Sequence, residues 1–280
     1  MQLIAGVGGL PRLLLTAADG ARAEIYQHGA HLTSWIAAGG VERLYLSGKA
    51  LFRSGAAIRG GVPVIFPQFA GEGPLPKHGF ARSLPWQLVS SEQPGQGLAT
   101  AVFRLEDADA TRAIWPHAFK AELRVSVGGA TLETTLSVEN SGDAGISFTA
   151  ALHTYLRVGD IGGVRLHGLQ GLHYRDTALG GSTALESADS LRIEGEVDRI
   201  YFDAPAGLEL IDALGRLRIE STGFADAVVW NPGAERAAAL ADLDAEGYRK
   251  FLCVEAAAVG VPISLAPGAR WSGMQRLVQE

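Results

Sequence analysis

Short runs of alternating apolar and polar residues dominate the chain. Residues 131–140, TLETTLSVEN, place Leu132, Thr134, Leu136 and Val138 on one side. Glu133, Thr135, Ser137 and Glu139 fall on the other. That is the period of a half-buried strand. Asn140-Ser141-Gly142-Asp143 then predicts a turn. AELRVSV (121–127) predicts the preceding strand, with Gly128-Gly129 between the two. The runs LRIEGEVDRIYFDAP (191–205), LELID (208–212) and RLRIES (216–221) continue the pattern, each bounded by Gly, Pro or Asp. Short strands at this spacing predict an all-β protein of antiparallel sheets packed as a sandwich. The best helical pattern is AERAAALADLDAEGYRK (234–250), expected to form one short surface helix ending near Gly247. No repeat, low-complexity tract or linker interrupts the chain, so residues 1–280 are expected to form one domain.

Two runs break the alternation with a single polar residue. FLCVEAAAV (251–259) has eight apolar residues and Glu255. With Pro262 close behind, it reads as a buried strand. Phe251, Cys253 and Glu255 would share one face, and Leu252, Val254 and Ala256 the other. A lone buried carboxylate is costly unless paired, hydrogen-bonded or protonated. A structural ion pair or a strand-end carboxylate reaching water would satisfy it as well as a catalytic role. ALHTYLRV (151–158) likewise carries His153 with Ala151 and Tyr155 on its face. On pattern alone that histidine fits a satisfied core residue better than a catalytic one.

Residues 56–86 show no periodicity and hold five prolines and five glycines. They predict a long, ordered, irregular loop, the kind of segment that carries function. Arg59, Lys77, His78 and Arg82 lie in it, and Gly60-Gly61 permits a close backbone approach. Taken singly, each basic residue fits a solvated surface charge.

Composition narrows the function classes. The chain has 280 residues, 47% hydrophobic and 19% charged, enough for a large core. Its net charge of −6, with no basic run, argues against nucleic-acid binding. One cysteine excludes an intrachain disulfide. The segment MQLIAGVGGLPRLLL lacks the basic start of a signal peptide, and no apolar run reaches the ~18 residues of a membrane span. The expectation is a soluble, cytoplasmic monomer without membrane or nucleic-acid partners. The seven histidines form no HExxH or zinc spacing. There is no GxSxG elbow, Walker A loop or dinucleotide fingerprint. Cys253 has apolar neighbours, unlike a nucleophilic thiol. Asp198 and Glu255 are the pair a glycosidase would need, but no local motif joins them.

The segments IRGGVPVIFPQF, LPKHGFAR, ALHTYLRV, VDRIY, DAVVWNP and VEAAAVGVPISLAPGARWSGMQ run in order from about residue 58 to 275. Together they resemble the aldose 1-epimerase superfamily, and within it the glucose-6-phosphate 1-epimerase (D-hexose-6-phosphate mutarotase) branch. The resemblance implies a β-supersandwich with the sugar on a concave sheet face, and neither metal nor organic cofactor. It places His153 and Glu255 on the catalytic pair, and Arg59, Arg82 and Asp198 on substrate-binding positions. His78 falls on the histidine of a PQHGFAR-like motif, as a contact to a sugar hydroxyl or the ring oxygen. One departure stands out: Lys77 replaces the glutamine that usually precedes this histidine.

The chemistry agrees with the resemblance. Exchanging anomers opens a hemiacetal: the C1 hydroxyl loses a proton while the ring oxygen gains one. A carboxylate, Glu255, suits the base, and a protonated imidazole, His153, suits the acid. A hexose 6-phosphate carries close to two negative charges. An acidic protein must gather Arg59, Arg82 and Lys77 locally to hold it. Trp230, in VVWNP, fits the core better than a sugar-stacking position. A mutarotase for unphosphorylated aldoses and a non-catalytic sugar-phosphate-binding protein are the alternatives.

Overall fold

The computed structural model describes residues 2–93 and 95–280. Among them, every strand pairing is antiparallel. Nine strands form one large sheet, in the order Ser190–Leu191, Arg165–His167, Gly207–Asp212, Gly215–Thr222, Arg270–Gln279, Thr131–Asn140, Phe119–Gly128, Ala99–Glu106 and Gln87–Glu92. A second sheet of eight strands runs Ser182–Leu185, His173–Asp176, Val197–Tyr201, Asp226–Asn231, Phe251–Leu265, Ile146–Leu152 and Val64–Ile65. Its eighth strand, Tyr155–Arg157, also pairs with Phe251–Leu265. Four N-terminal strands, ending with His31–Ile36, make a third sheet. The expected β-sandwich of antiparallel sheets is therefore the fold.

The strand Phe251–Leu265 runs through the middle of the second sheet and is buried on both faces over its first nine residues. Leu252, Val254, Ala256 and Ala258 join the main core with Leu136, Val138 and Leu277 of the nine-stranded sheet. Phe251 and Cys253 pack on the other face with Tyr45, Tyr155 and Trp230. Ala257 and Val259 continue that face with Ile65, Ala151, Ile200 and Val228. Glu255 lies between these two smaller clusters. A one-residue slip of register would put its carboxylate in the main core and Leu252 and Val254 on the other face. Fully burying such a side chain stabilises by about 1.5–3 kcal/mol, so the register is strongly set. The strand runs on through Pro262 to Leu265, beyond the buried portion.

Two expectations change. The run 191–205 is split: Ser190–Leu191 lies in the nine-stranded sheet and Val197–Tyr201 in the eight-stranded one. The helix expected over 234–250 is only Gly233–Ala238, with a 3₁₀ turn at Gly247–Lys250. Tertiary contacts override its Ala-rich propensity. Asp242 is held by Arg59, Asp244 accepts from the Gly48 N–H at 2.8 Å, and Leu243 is buried. Gly233–Ala238 and Asp109–Arg112 are the short α-helices among the described residues. Among the described residues no helix is long and apolar enough to cross a membrane.

Residues 56–86 are irregular, as expected, but well tied. Gln68 donates to Leu75 O at 3.1 Å and accepts from Leu75 N–H at 3.0 Å. The Gly60-Gly61 pair serves the fold rather than a ligand. A Cβ on Gly61 would lie 2.1 Å from Leu32 O, and one on Gly60 would lie 2.4 Å from Tyr45 O. His31 seals this crossing: its fully buried Nε2–H donates to Gly60 O at 2.8 Å, while Nδ1 has no hydrogen-bond partner. Burial, with His28 and Arg82 nearby, pulls the His31 pKa down to about 4, although the Gly60 bond favours the cation.

The sign of the resulting pH dependence follows directly. The unfolded chain binds this proton near the ordinary pH of 6.5 and the folded chain does not, so stability is complete above 6.5 and is lost between 6.5 and about 4. The loss from this residue is about 3 kcal/mol. Urea unfolding of the wild type and of His31→Gln across that range checks it. The variant is expected to be less stable at pH 7.5 and to lose less on acidification. A wild-type curve no steeper than the variant's would rule out a neutral buried imidazole.

Candidate active site

The eight-stranded sheet arranges its cavity-facing residues in rows. Asp198 pairs with Trp230, Trp230 with Cys253, and Cys253 with Tyr155. In the next row Ile200 pairs with Val228, and Val228 with Glu255. On the far side of Glu255 the neighbouring strand is interrupted. Ile146–Leu152 ends and Tyr155–Arg157 begins, leaving His153 at the break rather than inside a strand as expected. The register is the same on both sides, Leu152 opposite Ala256 and Tyr155 opposite Cys253, so His153 faces Glu255. The break is tied down twice. His153 N–H donates to Pro63 O at 3.0 Å. Thr154 turns the opposite way, its hydroxyl 2.5 Å from Oε1 of buried Gln275, whose amide donates to Val254 O at 3.0 Å.

His153 Nδ1 lies 3.2 Å from Glu255 Oε1, at ion-pair distance but without the angles of a hydrogen bond. Glu255 is 2% exposed and its Oε2 has no protein partner; His153 is 8% exposed. The imidazole stacks on Tyr155, ring centres 4.9 Å apart and 9° from parallel, with Trp230 edge-on at 5.8 Å. Burial, then the neighbouring His78 imidazole and the Arg82 and Arg59 cations, hold the His153 pKa well below the usual histidine value. Burial, then the Asp198 carboxylate, push Glu255 well above the usual carboxylate range, with Arg82 pulling back. A raised acid beside a lowered base leaves one proton for the pair. The expected imidazolium–carboxylate form is therefore not favoured in the protein alone, because burial penalises both charges.

All seven residues singled out in the sequence, Arg59, Lys77, His78, Arg82, His153, Asp198 and Glu255, line one cavity of about 550 Å³. Arg59 reaches it with its charge already engaged: Nε and Nη2 each lie 3.2 Å from Asp242 Oδ2, and Nη1 donates to Tyr155 Oη at 3.1 Å. Burial works against the Arg59 cation, but Tyr155 and Asp242 more than offset it and hold it protonated. Arg82 is different. It sits in the 3₁₀ turn Ala81–Ser83, four residues after His78, donates only to Lys77 O at 3.0 Å, and has no carboxylate partner among the described residues. Lys77 is exposed at the mouth, its pKa lowered by burial of its amine and by Arg236. His78 sits at φ +66°, a left-handed conformation, and its Nδ1 accepts from Ala70 N–H at 3.2 Å. That leaves Nε2–H as its free donor. Burial and the three cations Arg82, Lys77 and Arg59 lower its pKa to about 3, so it is neutral. Asp198 is raised, chiefly by burial.

The structure also brings in residues the sequence pattern did not mark. Trp230, expected in the core, is 9% exposed and lines the cavity. Alternation along DAVVWNP from Val228 would have placed it there. Arg236 lines the cavity from the helix Gly233–Ala238. Asp242 and Tyr155 act on the site through Arg59, a link across 183 and 96 residues that no local pattern reveals. Among the described residues no group of three or more His, Cys, Asp or Glu side chains is placed to hold a metal ion.

Comparison with known proteins agrees with this geometry. A protein of Cenchrus ciliaris named "Putative glucose-6-phosphate 1-epimerase" is 38% identical over 97% of this chain and 85% of its own length. One of the same name from Escherichia coli K12 is 37% identical over 84% of this chain and 79% of its own length. The crystal structure of a Salmonella typhimurium protein described as a "putative mutarotase" superimposes with a TM-score of 0.88 at 28% identity, covering 100% of this chain and 97% of that one. The model of the family described as aldose 1-epimerase matches residues 11–277. The fold, the cavity and these matches together establish that the chain belongs to the aldose 1-epimerase family.

Proposed function

We propose that the protein is a cytoplasmic hexose-6-phosphate mutarotase that interconverts the α and β anomers of glucose 6-phosphate. The observation that carries this reading is the buried His153–Glu255 pair, 3.2 Å apart, in one cavity with an Arg82 that has no carboxylate partner among the described residues. Anomer exchange needs an acid and a base at once and consumes no proton overall. A pair that shares one proton supplies both. The step runs from the carboxylate–imidazolium form of the pair: Glu255 takes the proton of the C1 hydroxyl as His153 protonates the ring oxygen, the pair passes to its neutral form, and the ring opens to the aldehyde. Rotation about C1–C2 presents the other carbonyl face, and closure reverses both transfers. The pair is restored at the end of each cycle, so the reaction leaves its charge unchanged.

The remaining residues fit the other demands of the substrate. Among the described residues Arg82 and Lys77 lack carboxylate partners, and they suit a phosphate dianion; Arg59 adds a charge that Asp242 partly offsets. Neutral His78 offers Nε2–H to a sugar hydroxyl or the ring oxygen, and Asp198 accepts from a hydroxyl. Trp230 and Phe69 provide apolar walls of the same cavity. A free aldose would use the pair, His78 and Asp198, but would leave the cations without a partner.

Two substitutions test the assignment. Glu255→Gln keeps the shape of the carboxyl group, and burial already disfavours its charge, so the fold is expected to persist. Anomer exchange, read by NMR magnetisation exchange on glucose 6-phosphate, is expected to fall by ~10²–10⁴. Exchange near the wild-type rate would remove Glu255 from the mechanism. Arg82→Ala is expected to raise the KM for glucose 6-phosphate by about 10–100-fold, the loss of a charge-assisted hydrogen bond. Any turnover of free glucose should change little, and equal losses on both sugars would argue against a phosphate role.

A further inference from the structure

Arg236 stands between two anions, one on the protein and one that would enter the cavity. Its helix is fixed in place at the N-terminal end. Asn231 donates to Tyr248 O and Phe251 O, each at 2.8 Å, and accepts from Gly233 N–H at 2.9 Å. Gly233, at φ +62°, lies so close to the neighbouring loop that a Cβ there would be 2.7 Å from Glu196 N. This contact sets Arg236 beside Glu196, and their side chains form a hydrogen-bonded ion pair. Arg236 also lines the cavity with Lys77, Arg82 and Asp198. Of the charges acting on Lys77, Arg236 is the strongest, after the burial of the amine itself. It is also the cation that acts most on Asp198.

Two features make the Arg236–Glu196 pair exchangeable. Both side chains are well exposed, at 41% and 32%, so the pair is screened and weak. Lys77 and Arg82 add like charge on the cavity side, and an incoming dianion would relieve that repulsion. By contrast Arg59 is held by Asp242 and Tyr155 at lower exposure.

Resting on the phosphosugar reading above, we propose that Arg236 is a third phosphate ligand that trades Glu196 for the 6-phosphate. Glu196 then acts as a built-in competitor that sets how tightly phosphosugars bind. A purely structural ion pair would behave differently: loss of either partner would have the same sign of effect.

The test compares Arg236→Ala and Glu196→Gln with the wild type in glucose 6-phosphate exchange. Titration with inorganic phosphate, followed by calorimetry, provides a readout independent of turnover. Arg236→Ala is expected to raise KM and the phosphate dissociation constant about tenfold, with kcat little changed. Glu196→Gln is expected to lower both about threefold, because the competing anion is gone. Melting temperatures confirm that both variants fold. Opposite shifts in phosphate affinity support the exchange even if the wild type accelerates no anomer exchange, an outcome that would sink only the mutarotase reading. Shifts of the same sign, or none in Glu196→Gln, would overturn the proposal while leaving the mutarotase reading intact.

Discussion

The organisation of this protein depends on carrying one carboxylate on a strand that is buried on both sides. Glu255 cannot be moved by one position without placing a charge in the main core, so the register of Phe251–Leu265 is fixed by the same residue that occupies the site. Its neighbour is fixed in turn. The strand opposite is opened at His153 and Thr154, and the break is held by Pro63 on one side and by Gln275, from the other sheet, on the other. The His153 N–H bonds Pro63 O in the register that already pairs Ala151 with Ile65 and Leu152 with Val64, and the imidazole is left facing Glu255. The cost of an incompletely partnered carboxyl and imidazole is absorbed by the packing around them, with Tyr155 stacked on the ring and Phe251, Cys253 and Val228 beside the carboxyl's row.

Around that pair the cations are held in three different ways. Arg59 is saturated by Asp242 and Tyr155, Arg236 is held loosely by Glu196, and Arg82 has only a backbone carbonyl. The gradation matters because the net charge of −6 gives no general attraction for a phosphate. Only a local field built from side chains fixed in place can provide it. The same field acts inward. Burial is the larger cause of the neutral His78 and the lowered His153, and the cations add to it, so the residues proposed to handle protons are tuned in part by those proposed to hold the phosphate.

The sheet interior was legible in the chain. Alternation in TLETTLSVEN and FLCVEAAAV assigned the correct faces, including the shared face of Phe251, Cys253 and Glu255. The seven candidate residues come from motif resemblance, and the structure brings all of them to one cavity. Local pattern failed where long-range contacts decide. The Ala-rich run from 234 is a helix by propensity, yet Asp242, Leu243 and Asp244 are each taken by partners elsewhere and pull it out of helical form after Ala238. The glycines at 60 and 61 were visible as a close approach, but what approaches is Tyr45 and Leu32, which no local signal names. Trp230 fits the core by sequence, and it is nearly that buried while still forming a wall of the cavity.

The arrangement also separates anomer exchange from glycoside cleavage, which would use two carboxyl groups on opposite sides of the scissile bond. Asp198 and Glu255 share the cavity, but they lie two strands apart and one row out of step: Asp198 is opposite Trp230, while Glu255 is opposite Val228. Strand spacing and rise put their Cα atoms roughly 12 Å apart. The group beside Glu255 is His153, at 3.2 Å. A carboxyl–imidazole pair sharing one proton can give and take that proton on the same side of a sugar ring and finish unchanged. Hydrolysis would need a separate group to activate water. Exchange at C1 needs only the proton already present, and an environment that keeps it shared: burial that disfavours both charges, and Asp198 and Arg82 pulling Glu255 in opposite directions.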